Sequence, residues 1–238
     1  MTREKSMISK EEAISRLREE GYYISKNRFS TRYFKSLNFK IDTLIDVGVN
    51  NGTPDLYAAF PESKMFLIDP GQINLADLKA WQKNKYDLNF IHKALGRKIG
   101  STAFNISNIS ARSSVLKRLD PRKNEEFSNK KVEMVTLDSL SEEFVGNIGL
   151  KLDVEGYEAE ILKGAAKTLQ SVEFVIVETS ISPRFENGSK FSDIVSILAK
   201  YNIELYDILT PLYKAPTYMD CLFVRFSNDL FKKSITVG

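Results

Sequence analysis

Thr43-Leu-Ile-Asp-Val-Gly-Val-Asn-Asn-Gly52 is the stretch on which the reading of the chain turns. Leu44, Ile45 and Val47 form a short apolar run suited to a strand buried on both faces. Gly48 permits a tight turn, and Asn50 and Gly52 let the backbone come close to a small ligand. Asp46 puts an acid at the carboxyl end of that strand, where open α/β sheets hold their ligands. A second apolar run, Met65-Phe-Leu-Ile68, also ends on an acid, Asp69. Strand, glycine turn, helix, strand and acid make half of a nucleotide-binding βαβ unit.

The glycine spacing decides which nucleotide. A dinucleotide site uses G-x-G-x-x-G, whose second glycine lets the backbone touch a pyrophosphate. Here those positions are Gly48, Asn50 and Thr53, with Pro54 next, so one glycine of three is present. An NAD-dependent oxidoreductase needs the glycines that Asn50 and Thr53 replace. A ligand with an adenosine and an amino acid moiety but no pyrophosphate tolerates a side chain at Asn50, and S-adenosylmethionine is such a ligand. Asp46 is then expected near its cationic end, and Asp69 is expected to accept hydrogen bonds from the ribose hydroxyls. The plain alternative is an ordinary βα turn with no ligand.

The 238 residues suit one domain with an appendage: 1–39 as an amino-terminal helical extension or lid, and 40–238 as the ligand-binding domain. Lys and Arg number 34 against 31 Asp and Glu, a net charge of +3, so no nucleic-acid partner is implied. No stretch is long and apolar enough to span a bilayer. The charged start, Met1-Thr-Arg-Glu-Lys-Ser6, has no apolar run behind it and does not read as a signal peptide. The single cysteine, Cys221, excludes an internal disulfide and fits a reducing cytoplasm. The sequence leaves oligomerisation open.

Along the chain, Ser9-Lys-Glu-Glu12 is a capping box, and Ile14 and Leu17 follow at helical spacing up to Gly21. Residues 22–39 mix Tyr22, Tyr23, Phe29, Tyr33, Phe34 and Phe39 with Lys and Arg, as a face packed on the main domain or a lid. Leu75, Leu78 and Trp81 predict a helix over 72–83, and 88–91 a third strand leading to His92 and Ala94. A lone histidine at a strand end does not anchor a typical zinc site. Residues 97–131 break the alternation of strands and helices and read as an excursion at the edge of the site. Strands are expected at 132–137, 148–152 and 172–177, and helices after Gly156 and over 191–201. The last two strands, 203–209 and 220–226, have no helix between them and predict a hairpin carrying one antiparallel edge strand.

Three acids thus lie at strand ends: Asp46, Asp153 and Glu178. The crevice is expected between the first and fourth main strands, with Asp46 and Asp153 facing each other across it. Methyl transfer needs an in-line approach, so positioning is its largest requirement. A carboxylate beside the acceptor takes its proton, and Asp153 is the candidate, with Glu155 and Glu178 behind it. Attraction to a helix amino terminus is the competing explanation for Glu155 and Glu158. Asp153, Glu155 and Glu178 also have the hard oxygen ligands that Mg2+ prefers, but three acids alone do not make a site and no metal is assigned.

Ile45-Asp-Val-Gly-Val-Asn-Asn-Gly52, Val135-Thr-Leu-Asp-Ser-Leu140, Leu152-Asp-Val-Glu-Gly-Tyr-Glu158 and Met219-Asp-Cys-Leu-Phe223 resemble the FkbM family of S-adenosylmethionine-dependent methyltransferases. The resemblance runs from about residue 41 to 226 and is most specific in Asp153-Val-Glu-Gly-Tyr-Glu158. It implies a class I, Rossmann-like α/β fold, doubly wound, with six parallel strands and a seventh antiparallel. It also implies methyl transfer to a hydroxyl of a sugar, glycan or polyketide-type acceptor. Cofactor contacts are then expected from Asp46, Gly48, Asn50, Gly52, Asp69, Pro70, Ala94 and Asp153. The family's usual Glu-Pro pair after the second strand is Asp69-Pro70 here, which keeps the charge and shortens the reach. A non-catalytic nucleotide-binding module is the alternative from another class; the retained acids Asp46, Asp69 and Asp153 argue against it.

Overall fold

The computed structural model describes residues 8–21, 28–71, 86–109, 111–210 and 217–233. The helix expected over 72–83, Tyr22, Tyr23, Pro211 and Pro216 lie outside these. The main sheet has seven strands: β1 (Thr43–Val47), β2 (Lys64–Ile68), β3 (Asp87–Ile91), β7 (Ile148–Leu152), β8 (Val172–Ser180), β9 (Ile203–Ile208) and β10 (Tyr218–Arg225). Their order across the sheet is β3-β2-β1-β7-β8-β10-β9. The winding therefore reverses between β1 and β7, which pair in parallel with Asp46 beside Lys151 and Val47 beside Leu152. This is the doubly wound sheet expected.

The antiparallel strand is placed differently from expectation. β10 runs antiparallel to both β8 and β9, so it lies inside the sheet and β9 forms the edge. The burial of the two strands accounts for this. Cys221, Leu222, Phe223 and Val224 of β10 are all buried and need cover on both sides, whereas Glu204 and Leu205 of β9 reach toward solvent. An edge position suits the strand with the weaker apolar run.

Alternation along the strands sends side chains into two layers. One face, carrying Ile45, Val47, Leu150, Leu152, Val175 and Val177, packs on helix α4 (Glu158–Lys163) and helix α5 (Phe191–Leu198). The 3-10 turns at Thr168–Ser171 and Ala199–Tyr201 follow these helices, so each expected helix is shorter than its apolar stripe. The other face, carrying Leu44, Leu67, Phe174, Ile176 and Leu222, packs on α2 (Thr31–Ser36) and α3 (Pro54–Ala59). Phe34 of α2 is fully inside that layer, so part of the first forty residues shares the main core. Helix α1 (Lys10–Glu19) begins where Ser9 accepts the Glu12 N–H at 3.1 Å, and it buries none of its side chains.

The excursion between β3 and β7 folds as a second sheet. It contains β4 (Ala94–Leu95), β5 (Gly100–Ser107) and β6 (Phe127–Val135), in the order β4-β6-β5. β5 and β6 pair antiparallel, and Phe104, Val132 and Met134 turn one face onto Ala94, Val115 and Tyr157. This small sheet stands over the carboxyl ends of β1, β2 and β7.

Candidate active site

A cavity of about 800 Å3 opens where β1 and β7 separate, within the range of pockets that take small molecules. Its floor is the glycine turn. Gly48 has φ +80°, and a Cβ there would lie 1.8 Å from the carbonyl oxygen of Asp153, so only glycine fits. Asn50 and Gly52 also have positive φ, which folds the turn tightly against the strand ends. Gly48, Asn50, Gly52, Asp69, Pro70, Ala94 and Asp153 all line the cavity. Phe104, Ile106 and Ser113 of the excursion close it from above.

Asp69 is held by backbone donors. Its Oδ2 accepts the Asn50 N–H at 3.1 Å and its Oδ1 accepts the Gly71 N–H at 2.7 Å. Burial pushes its carboxyl above the ordinary aspartate range, against the pull of these N–H groups. A carboxylate has about four acceptor positions, and with the Val49 N–H also bearing on Asp69 at least one is left for a hydroxyl entering the cavity. A pocket built on a one-glycine turn with an acid ready for a hydroxyl suits an adenosine without a pyrophosphate. The residues present fit S-adenosylmethionine.

Asp46 lies elsewhere than expected. It is fully buried behind the cavity wall, where its Oδ2 accepts from Thr53 Oγ1 at 2.9 Å and from the Tyr57 hydroxyl at 2.6 Å. Its Oδ1 lies 3.3 Å from Lys151 Nζ, which also lies 3.3 Å from Asp153 Oδ2. Asp46 and Asp153 are thus joined through an ammonium and do not face each other across the crevice. The reason is energetic. A carboxylate sealed in a sheet costs several kcal/mol unless paired, roughly in line with general estimates, and the neighbouring strand supplies the partner.

The acids proposed for chemistry fall into two groups. Asp153 opens into the cavity with its side chain 33% exposed. Glu155 is committed: Arg184 reaches its Oε2 at 2.6 Å and Arg118 at 3.0 Å. Its φ of +59° shows a backbone bent to bring that carboxylate between the two arginines. Glu178 receives Arg184 at 2.7 Å, yet burial and the charges of Asp153 and Glu155 push its carboxyl up to about 9. Glu158 is buried at the start of α4 and accepts the Gly156 N–H at 2.9 Å, so it braces the turn ahead of that helix. Among the described residues no group of three His, Cys, Asp or Glu side chains is arranged to hold a metal ion.

Sequence reasoning passed over Lys151, Asp220, Tyr218 and the two arginines. Asp220 lies opposite Glu178 in the β8–β10 pairing and lines the cavity, where burial and Asp153 push its carboxyl up to about 6. Tyr218 lies two residues earlier on the same face of β10, and the Arg184 guanidinium stacks on its ring at 4.7 Å. The signal for Lys151 was present: a cation between Leu150 and Leu152 in a buried strand requires a buried acid beside it.

The family model for the methyltransferase FkbM domain matches residues 43–205, more than half of the chain. The chain belongs to the FkbM methyltransferase family. It is an S-adenosylmethionine-dependent methyltransferase, and the FkbM match begins at the first residue of β1 and ends within β9. No curated protein matches the chain significantly. Solved structures of similar shape include a TehB-like S-adenosylmethionine-dependent methyltransferase from Corynebacterium glutamicum ATCC 13032. It is 10% identical, with a TM-score of 0.42, over 90% of this chain and 95% of that one. Another is magnesium protoporphyrin IX methyltransferase from Synechocystis PCC 6803 with bound S-adenosylmethionine, 11% identical, TM-score 0.45, over 90% and 91% of the two chains. Fibrillarin from Aeropyrum pernix, also with bound S-adenosylmethionine, is 12% identical, TM-score 0.44, over 83% and 76%. At TM-scores below 0.5 these likenesses do not carry the assignment; the family match and the strand order do.

Proposed function

We propose that this FkbM methyltransferase methylates a hydroxyl of a sugar or glycan, with Asp153 as the group that takes the hydroxyl proton. The observation that carries the reading is the Asp153 carboxylate, open to the cavity and held at its far oxygen by Lys151. The bound cofactor supplies an electrophilic methyl on a sulfonium. The chain's part is to bring the acceptor oxygen in line with that methyl and to receive the proton at Asp153 as the new C–O bond replaces the C–S bond. Gly48, Asn50, Gly52, Asp69, Pro70 and Ala94 then form the cofactor half of the cavity, and Asp46 contributes from behind through Lys151.

The acceptor half supports a sugar over a polyketide-type alcohol. The Tyr218 ring, backed by Arg184, is a fixed apolar plate of the kind that covers one face of a pyranose. Asp220 and Glu178 stand beside it, opposite each other in the β8–β10 pairing, as partners for neighbouring hydroxyls. Glu155, paired with two arginines, and Glu178 serve as supporting groups to Asp153. Phe29, also on the cavity wall, supports a lid or wall role for the amino-terminal segment. The buried free thiol of Cys221 is consistent with a cytoplasmic setting.

Methyl transfer from radiolabelled S-adenosylmethionine to a panel of methyl glycosides and polyketide alcohols tests the acceptor class. Asp153→Asn is expected to lower turnover by roughly 10²–10⁴-fold while S-adenosylhomocysteine still binds. Full-rate turnover by that variant overturns the assignment of the base.

A further inference from the structure

One ammonium is buried in the main sheet. Lys151 sits in β7 between Leu150 and Leu152, is 5% exposed, and forms part of the cavity wall. We propose that Lys151 is a positioning residue for methyl transfer: anchored from behind by Asp46, it holds the Asp153 carboxylate in place on the acceptor side of the cavity. The proposal rests on the reading of Asp153 as the proton acceptor.

The geometry runs in one line from the helix layer to the cavity. The Tyr57 hydroxyl and Thr53 Oγ1, at and just before α3, fix one oxygen of Asp46. The other oxygen takes Lys151 Nζ at 3.3 Å, and the same nitrogen reaches Asp153 Oδ2 at 3.3 Å. An ammonium has three donors and no acceptor, so it cannot turn away from two carboxylates without leaving them unpaired. Asp46 and Lys151 are register partners on adjacent parallel strands, so the backbone sets their spacing.

The groups around Lys151 exclude a role for it as a base. Asp46 faces it from β1, Asp153 from the end of its own strand, and Asp220 from β10, with Glu178 of β8 opposite Asp220 in the pairing and within reach of the Asp153 charge. Burial alone would pull the ammonium's pKa down; the three aspartates more than reverse this, and the net direction is up. Lys151 therefore stays charged and takes no proton from an acceptor. It also acts on Asp220, whose raised carboxyl it draws back toward the ionised form.

Two spectroscopic measurements on the full chain test this without an acceptor. In the native protein the Lys151 ammonium is expected to give a slowly exchanging 1H–15N signal, which shifts in Asp46→Asn and in Asp153→Asn. In 13C-carboxyl titrations, the Asp220 midpoint, near 6 in the native chain, is expected to rise by about one unit in Asp46→Asn/Lys151→Met, since a charge a few ångströms away moves a carboxyl by that order. It is expected to fall in Asp153→Asn and to stay near its native value in Lys151→Arg. The double variant removes both members of the pair, so neither charge is left buried alone, and the ammonium signal decides the matter if that variant does not fold. An ammonium signal indifferent to Asp153→Asn, or an Asp220 midpoint unmoved in the folded double variant, overturns the proposal. If both spectroscopic results hold while Asp153→Asn turns over at full rate, the base reading has failed, and Lys151 holds a carboxylate that takes no proton.

Discussion

Gly48 and Asp153 meet backbone to backbone: the first residue after β1 leaves no room for a side chain against the carbonyl of the first residue after β7. This contact draws the two strand ends together at the reversal point and gives the cavity its floor. Gly48→Ala adds a Cβ into that carbonyl at a φ of +80°. Overpacking and a left-handed backbone together are expected to cost about 2–4 kcal/mol. Urea denaturation of the two proteins measures it, and a difference within experimental error would show that the strand ends can separate freely.

Tyr57→Phe removes a 2.6 Å hydrogen bond to a fully buried carboxylate while leaving the ring in its place. Asp46 keeps Thr53 and Lys151. The expected loss is about 1–3 kcal/mol, read as a shift in denaturation midpoint at unchanged m-value.

Asp69→Asn replaces an acceptor for two backbone N–H groups by an amide that cannot serve both. S-adenosylhomocysteine affinity is expected to fall roughly 10–100-fold, the equivalent of about 1.5–3 kcal/mol for hydrogen bonds to a charged group. Asp69→Glu is expected to keep most of it. Calorimetry of the two variants distinguishes a charge requirement from a length requirement.

Stability is expected to decline toward alkaline pH. Glu178 has its carboxyl pushed from 4.5 up to about 9, Glu158 from 4.5 to about 7, and Asp220 from 3.8 to about 6. In each case the native state keeps a proton that the unfolded chain releases. The contribution is complete below the unfolded value and is lost as pH rises through the folded one. Above about 7 only Glu178 is left to titrate among these three. Its slope there is at most about 1.4 kcal/mol per pH unit. Glu178→Gln is expected to flatten the stability profile between about pH 7 and 9, and an unchanged slope would place the proton on another group.

The sheet was legible from sequence because its strands are short apolar runs ended by acids or glycines, and those runs are what β1, β2, β7 and β8 became. Gly48 and Asp69 were legible for the same reason, since a glycine turn and a strand-end acid carry local signatures. Asp46 was not. Its spacing places it at a strand end, but whether it faces the ligand or the helix layer depends on one residue of pleat and on a lysine more than a hundred positions away. Glu155 was legible as an acid behind Asp153, but its pairing was not, because its two arginines come from separate loops that no local pattern joins to it. The antiparallel pairing of β9 with β10 was legible, but the placement of β10 inside the sheet was decided by burial on both flanks, which the apolar run from Cys221 to Val224 records.

The small sheet of β4, β5 and β6 is inserted in a single crossover, between a strand at one edge of the main sheet and a strand at its centre. Its roof over the cavity can therefore change composition without altering the register of β1 against β7. Descendants of this chain could exchange one client molecule for another by rewriting that insert, while the chemistry beneath stayed fixed.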